Sequence, residues 1–401
     1  MSQAEVAPAP TPRIWLITAV LALLSMFPPV ATDMYLSSMG ELARALDASA
    51  EATGLSLSLF FLGLCVGQLV MGPLIDGYGR KAPLLAGVAL FTLTSVGLLL
   101  TRDVLLFNTL RFFQAIGACA GMVVGRAVVS DLFSGRQAAR MMTVLVMLMT
   151  LGPILSPFLG SLLATSLGWR SIFYTMVALG LASLLLTRAA LPETLPPERR
   201  ARAPFRTAFA RLGLLLRRRA FIVPALVAAC IQASMFAFIS GSSGTFQTGF
   251  GLSAVHYGLL FGVIAAALVI FGQLNAWLLN HFDPRRILAT GLPLQALAGA
   301  ALLVLSGSGT LWLVATPLWL AIGLVGLLSA NAMSITMEGS PEGAGIGSAL
   351  LGGLQFGIAF LVSSAVSLGG GGATAMGLGI FLPAAAACLI WLTARPRGTA
   401  T

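Results

Sequence analysis

Apolar and polar positions along this chain change on a long wavelength: runs of mostly apolar residues, broken by short polar or charged joints. A helix needs about 20 such residues to cross the hydrocarbon of a bilayer. Twelve runs qualify, near residues 14–36, 50–73, 82–101, 104–129, 140–164, 169–190, 220–245, 254–279, 286–306, 310–333, 343–367 and 371–393. One joint is long. From Leu191 to Arg219 prolines and arginines interrupt the pattern and leave six runs on either side. The reading is an all-α integral membrane protein of twelve transmembrane helices in two pseudo-symmetric six-helix bundles. Residues 1–190 form the N-terminal bundle, 191–219 a basic linker and 220–401 the C-terminal bundle. Within the linker, Phe205 to Leu216 either lies amphipathically on an anionic membrane surface or is a solvated charge run.

Composition sharpens this. Of the 401 residues 58% are hydrophobic and 9% charged, where a soluble domain carries about a quarter charged. The net charge of +10 does not point to nucleic acid, because the bases flank apolar helices. With the N-terminus inside, 18 of the 23 bases fall on the inner side, Arg395 and Arg397 among them, while Arg44, Arg102 and Arg170 lie outside. The positive-inside rule then places both termini in the cytoplasm, and the membrane expected is a bacterial inner membrane. The first thirteen residues read as a short cytoplasmic tail before an uncleaved helix. Cys65, Cys119, Cys230 and Cys388 all sit inside helices, without metal-ligand spacing, as small apolar packers. His256 and His281 complete no catalytic motif, and no phosphate-cradling loop is present. An enzyme, a metal and a cofactor are therefore not expected, and transport energy would come from an ion gradient.

The joint between the second and third helices, Gly67 to Lys81, reads GQLVMGPLIDGYGRK. A faint copy lies 205 residues further on. Gly67-Gln68-Leu69 recurs as Gly272-Gln273-Leu274, and Arg80-Lys81 as Arg285-Arg286, with His281 in place of Asp76 and Pro284 in place of Gly79. Duplicated halves with a solute site at their interface are a known transporter plan.

Ionisable groups at membrane depth are costly and mark function. Here they are Asp33 on the first helix and Arg111 on the fourth, with Arg126 and Asp131 nearer its inner end. The second half has no acid or base from Arg219 to Asp283, from Arg286 to Glu338, or from Glu342 to Arg395, those residues excepted. Asp33 is a candidate proton carrier; the competing reading is a solvated boundary residue or a cap of the next segment. Arg111 cannot lose its proton, so it polarises a nearby acid, hydrogen-bonds the backbone of helix 1, or serves as a structural anchor. Gly152, Pro153, Pro157 and Gly160 on helix 5 predict a hinge and a close helix approach. Candidate cavity residues are Tyr35, Gln114, Gln232, Met235, Phe236, Phe238, Asn331, Gln355 and Phe356, since flexible, aromatic and amide side chains suit an adaptable apolar pocket. Ordinary helix packing is the competing reading for each.

These residues resemble the major facilitator superfamily and, within it, the bicyclomycin-resistance (Bcr/CflA) family of drug:proton antiporters. GPLIDGYGRK looks like the superfamily's loop between helices 2 and 3. LRFFQAIGACAGMVVGRAVVSDLF is similar to its helix 4 signature at Arg111, Gln114 and Gly117, and LGPILSPFLGS to the helix 5 signature of antiporters. DMYL from Asp33, MFAFISGS and SALLGGLQFGIAF resemble the bicyclomycin-type family.

The resemblance implies alternating access by two rocking bundles in a monomer, exporting a small drug or metabolite against proton entry. It implies Asp33 as the protonation site and Arg111 as its electrostatic partner. It implies an inner gate of Gly72, Asp76, Gly79, Arg80, Arg126 and Asp131, with Arg80 on Asp131 and Asp76 facing the start of helix 11. The chain departs from the family at Gly77, where a base usually follows the Asp, at Ser37 and at Ser161. A nutrient symporter or facilitator, and a transport-inactive sensor or scaffold, are the competing functions. The uncharged second half points to neutral or weakly polar solutes, amphenicols or bicyclomycin-like molecules by family analogy.

Overall fold

The computed structural model describes residues 11–340 and 344–394. The tail before residue 11, Glu342, Arg395 and Arg397 lie outside the described residues. Among the described residues twelve helices are long and apolar enough to cross a membrane. Spans 1 to 6 are Leu16–Ala45, Ala50–Tyr78, Lys81–Leu100, Val104–Leu132, Gly135–Leu167 and Arg170–Ala190. Spans 7 to 12 are Arg219–Gly249, Ala254–Leu278, Pro284–Leu305, Leu311–Glu338, Gly345–Leu368 and Ala373–Ala394. The chain is a multi-pass membrane protein. Between spans 6 and 7 the linker forms a 3₁₀ turn, Pro197–Arg199, and an α-helix, Pro204–Arg217.

The twelve apolar runs match these spans, and the differences have local causes. Span 1 extends past residue 36 and is broken: its helix stops at Ser25, restarts over Phe27–Asp33, tightens to a 3₁₀ turn at Leu36–Ser38 and resumes at Met39–Ala45. Pro28 and Pro29 open the second piece, where a missing backbone N–H matters least. Span 7 ends in a π-helical turn, Gly244–Gly249, the loosened backbone that its glycines and serines allow. Span 5 stays helical from Gly135 to Leu167 through both prolines.

The halves repeat one packing scheme. Spans 2 and 4, 3 and 4, and 3 and 6 pack together in the first half, as 8 and 10, 9 and 10, and 9 and 12 do in the second. Two seams join the halves, span 2 against span 11 and span 5 against span 8. Along the first seam the helices run antiparallel, with Gly54 beside Ser367, Ser58 beside Ser363, Cys65 at the Gly353 carbonyl and Gln68 beside Gly352. On the second seam Gly258 meets the backbone of Pro157 and Phe158. Small residues let these backbones approach closely. Below, the side carrying the linker and the joint between spans 2 and 3 is called the linker face.

Candidate functional site

Three groups of side chains lie where the sequence placed its charged and polar candidates. The first surrounds the broken part of span 1. Asp33 closes the Phe27–Asp33 helix and is 1% exposed, and its Oδ1 has no hydrogen-bond partner. That excludes the solvated-boundary reading. Arg111 is fully buried. Its Nη2 donates to the Ala31 carbonyl at 2.7 Å and its Nη1 to Gln114 Oε1 at 2.6 Å. The flat guanidinium lies between two rings, 4.5 Å from the Tyr35 centroid and 4.4 Å from that of Phe60, where cation and π-face attract. Gln114 in turn donates to Ser95 Oγ at 2.7 Å.

The arginine therefore ties span 1 to spans 3 and 4 through a backbone carbonyl two residues before Asp33. It makes no ion pair with Asp33 among the described residues; of the roles left open for it, the hydrogen bond to the helix 1 backbone is the one the geometry displays. The helix 5 glycines explain why span 1 can lie so close. A side chain at Gly160 would collide with the Met34 carbonyl, and one at Gly152 with the Pro29 ring. Those two positions supply the close approach expected of the hinge segment; Pro153 and Pro157 sit in continuous helix between and beside them.

The second group lies at the seams, and it divides the candidate cavity residues. The Phe236 ring packs, tilted, with its centroid 4.6 Å from that of Phe61 of span 2 and 5.7 Å from that of Phe356 of span 11. Nearby, Ser363 exchanges a hydrogen bond with Ser58 at 2.9 Å and accepts one from Ser240 at 2.7 Å. Phe61, Ser58, Ser240 and Ser363 were missed in the sequence. Met235 is 4% exposed on the same helix, Gln355 is half-buried, and half-buried Gln232 accepts from Ser329 at 3.3 Å.

Other candidates face no open space. Gln114 and Phe238 are 0% exposed, the first held by Arg111 and Ser95, the second stacked on Phe261 at 4.5 Å. Asn331 donates to Asn275 Oδ1 at 2.7 Å inside the second half, and Tyr35, with its hydroxyl 3.1 Å from Ser56 Oγ, is buried against Arg111. These four pack the bundles. Two apolar clefts, of about 570 and 400 Å³, open on the flanks of the second half, one beside Cys230, Val362 and Pro383, the other beside Phe271 and Leu320. Neither reaches Asp33 or Arg111.

The third group is on the linker face. Arg80 Nη1 donates to Asp76 Oδ1 at 2.8 Å and Nε to Asp131 Oδ2 at 3.0 Å. Its side chain is 11% exposed, against 59% for Asp76 and 22% for Asp131. Asp76 is thus engaged by Arg80, and its backbone carbonyl accepts from Ala201 N at 2.9 Å. Gly79 takes a φ of +89° that other residues avoid. A side chain at Gly72 would meet nothing within 4 Å outside its own helix, and Arg126 has no acid partner among the described residues, so neither bonds to this cluster.

Glu193, which sequence reasoning passed over, accepts from the backbone N–H groups of Arg80 at 2.8 Å and Lys81 at 3.2 Å. Burial works against its charge, but those N–H groups, that of Leu195 and the nearby Arg200 guanidinium outweigh it and hold the carboxyl below its ordinary range. The second half keeps a related pair, Arg285 on Glu338 at 3.1 Å.

Comparison with known proteins decides the family. The model of the Major Facilitator Superfamily matches residues 15–364. The chain belongs to the major facilitator superfamily. It is 31% identical over 91% of its length to an uncharacterized MFS-type transporter, YdgK, of Bacillus subtilis, covering 92% of that protein. It is also 31% identical, over 86% of its length and 87% of the relative's, to a bicyclomycin resistance protein homolog of Haemophilus influenzae. A chloramphenicol resistance protein of Pseudomonas aeruginosa matches at 31% over 82% of this chain and 77% of its own. A solved D-xylose-proton symporter superposes with a TM-score of 0.75 over 96% of this chain and 98% of its own, at 17% identity, a likeness of fold alone.

In this major facilitator fold the two halves meet along the two seams. The Phe61–Phe236–Phe356 cluster and the serine chain lie on those seams. Asp33 and Arg111 lie in the first half; the broken part of span 1 that carries Asp33 packs against span 5, which forms the other seam.

Proposed function

We propose that this transporter exports a small neutral or weakly polar compound across the bacterial inner membrane in exchange for protons. The observation that carries the reading is Asp33: a carboxyl buried at membrane depth, with an oxygen free of partners, in a broken helix whose backbone a buried arginine holds at Ala31. Discontinuous helices at this depth are where transporters place their coupling ions, and a buried carboxyl there is a functional group by default. The drug-resistance names of the relatives support export. The distribution of arginines supports cytoplasmic ends, with the linker face inward.

In this reading Asp33 takes up a proton from outside and releases it inside. Arg111 keeps the Ala31–Asp33 turn in place through each cycle, so that the carboxyl meets both sides in turn. We assign the solute site to the seam lined by Phe61, Phe236, Met235, Phe356 and Gln355, where flat and flexible apolar groups surround a few hydroxyls. Asp76, Arg80 and Asp131 hold the linker face closed. One chain suffices for this cycle.

The test is Asp33→Asn in proteoliposomes, with labelled chloramphenicol as the probe. A pH gradient is expected to drive uphill accumulation by the parent and not by the variant, while solute exchange without a gradient persists in both. Uphill transport by the Asn variant would overturn the assignment. A second reading is proton-driven import on the same fold; flux that follows the proton rather than opposing it would decide for it.

A further inference from the structure

The linker makes more specific contacts than a tether needs. A helix begins with backbone N–H groups that have no partner inside it. Span 9 solves this locally, with Asp283 Oδ1 accepting from Arg285 N at 2.7 Å. Span 3, at the corresponding place in the first half, has Arg80 before its first residue and no side-chain cap of its own. Its cap comes from Glu193, more than a hundred residues along the chain, whose two oxygens take the N–H groups of Arg80 and Lys81. The next residue, Thr194, donates to Asp131 Oδ2 at 2.8 Å, the same oxygen that Arg80 Nε uses.

The contacts continue in order. Arg200 lies 3.9 Å from Glu193, Ala201 N reaches the Asp76 carbonyl at 2.9 Å, and Pro204 packs over Gly77. Lys81 Nζ donates to the Arg188 carbonyl at 3.0 Å, closing the ring on the span 6 side. The linker helix then lies against spans 2, 7 and 11, with Leu212 and Leu215 buried. One stretch of chain thus grips the joint of the first half and reaches the seam helices of the second.

We propose that residues 191–217 act as a clamp on the linker face, in which Glu193 is the positioning residue that holds the span 2–3 joint so that Arg80 stays on Asp131. The clamp sets how readily that face opens. It acts in either direction of transport and with or without proton coupling.

The experiment uses the full chain in nanodiscs, with the four native cysteines replaced. Two single-cysteine probes report the seam ends: Leu69→Cys towards the linker face and Ser367→Cys at the opposite end. Glu193→Gln and Glu193→Ala are compared with Glu198→Gln, an acid of the same linker with no hydrogen bond or ion pair among the described residues. Thr194→Val, which removes only the Asp131 contact, covers the case in which a Glu193 variant fails to fold.

The Glu193 variants are expected to speed modification at Leu69→Cys by about fivefold, in keeping with loss of a charged helix cap, and to slow it at Ser367→Cys. Thr194→Val is expected to move both rates the same way by less, and Glu198→Gln to move neither. Unchanged rates at both probes would overturn the proposal. So would a faster Leu69→Cys reaction without a slower one at Ser367→Cys, since that is local fraying and not a shift of the rocking equilibrium.

Discussion

Gly77 stands where the signature joint that this stretch resembles usually has a base, which makes a side chain there an inviting substitution. The structure predicts that it fails. A Cβ built at Gly77 lies 2.6 Å from Cγ and 3.1 Å from Cβ of Pro204, and a proline ring cannot swing aside as the tip of a flexible side chain would. Gly77 is inside the span 2 helix with an ordinary φ, so alanine would otherwise gain about 1 kcal/mol in helix propensity. Against this stand about 1–3 kcal/mol for overpacking and about 1 kcal/mol if the Ala201–Asp76 hydrogen bond is lost as the linker lifts. The net expectation for Gly77→Ala is a loss of about 1–3 kcal/mol. In a Pro204→Gly background the collision is absent, and the same substitution should become neutral or stabilising. Thermal unfolding of the four proteins in one detergent measures the coupling directly. A Gly77→Ala protein as stable as its parent while Pro204 is present would refute the reasoning.

Three further outcomes follow from the geometry. Gly160→Ala sets a methyl group against the Met34 carbonyl, backbone against backbone, and should cost about 1–3 kcal/mol or more and slow transport; a lowered melting temperature with reduced flux checks it. Arg111→Lys keeps the charge but cannot stack between Tyr35 and Phe60 while reaching both Ala31 and Gln114. A loss of about 2–4 kcal/mol is expected from the missing hydrogen bond and π contact, read as a fall in melting temperature that Gln114→Leu only partly reproduces. Arg285→Ala removes a pair whose partners are 39% and 57% exposed and should change stability by about 0–1 kcal/mol, whereas Arg80→Ala, at 11% exposure and with two acids left behind, should cost more; denaturation of the two variants in parallel compares them.

The fold was legible because lipid imposes one rule on long stretches of chain, and apolar length alone reports it. The charges were legible for the same reason: with so few at membrane depth, Asp33 and Arg111 stand out without any tertiary knowledge. What they touch was not. Whether Arg111 meets a carboxylate or a carbonyl depends on how far span 1 slides past span 4, which no local pattern encodes. Its bond to Gln114 was readable, since residues three apart share a helix face.

The cavity residues were less legible, because Phe, Met and Gln look alike in sequence whether they face lipid, core or solute. Helical geometry offered one unused check. Phe236 and Phe238 are two positions apart and cannot face the same way, and the structure turns the first to span 2 and the second to Phe261. The Ser58–Ser363 contact joins residues 305 apart and left no trace that a single sequence could show.

The weak internal repeat now carries a physical meaning. Its second copy lacks the acid of Asp76 but not an acid altogether: Glu338, at the end of span 10, meets Arg285 as Asp131, near the end of span 4, meets Arg80. Both halves therefore fix the start of their third helix to the end of their fourth. They differ in how the helix is capped. In the second half the cap is Asp283, one residue from the helix it serves, and it stays formed however the bundles move. In the first half it is Glu193, carried on the chain that runs on to spans 7 and 11. A cap supplied from outside its bundle can be withdrawn when the bundles separate, and a local one cannot. The two copies thus keep the same bolt within each bundle, and the first adds a contact that senses the other half. Gly77 fits this arrangement: a base at that position would occupy the space Pro204 needs, and the linker could not seat. The departure from the family pattern and the clamp on the linker face are two sides of one packing solution.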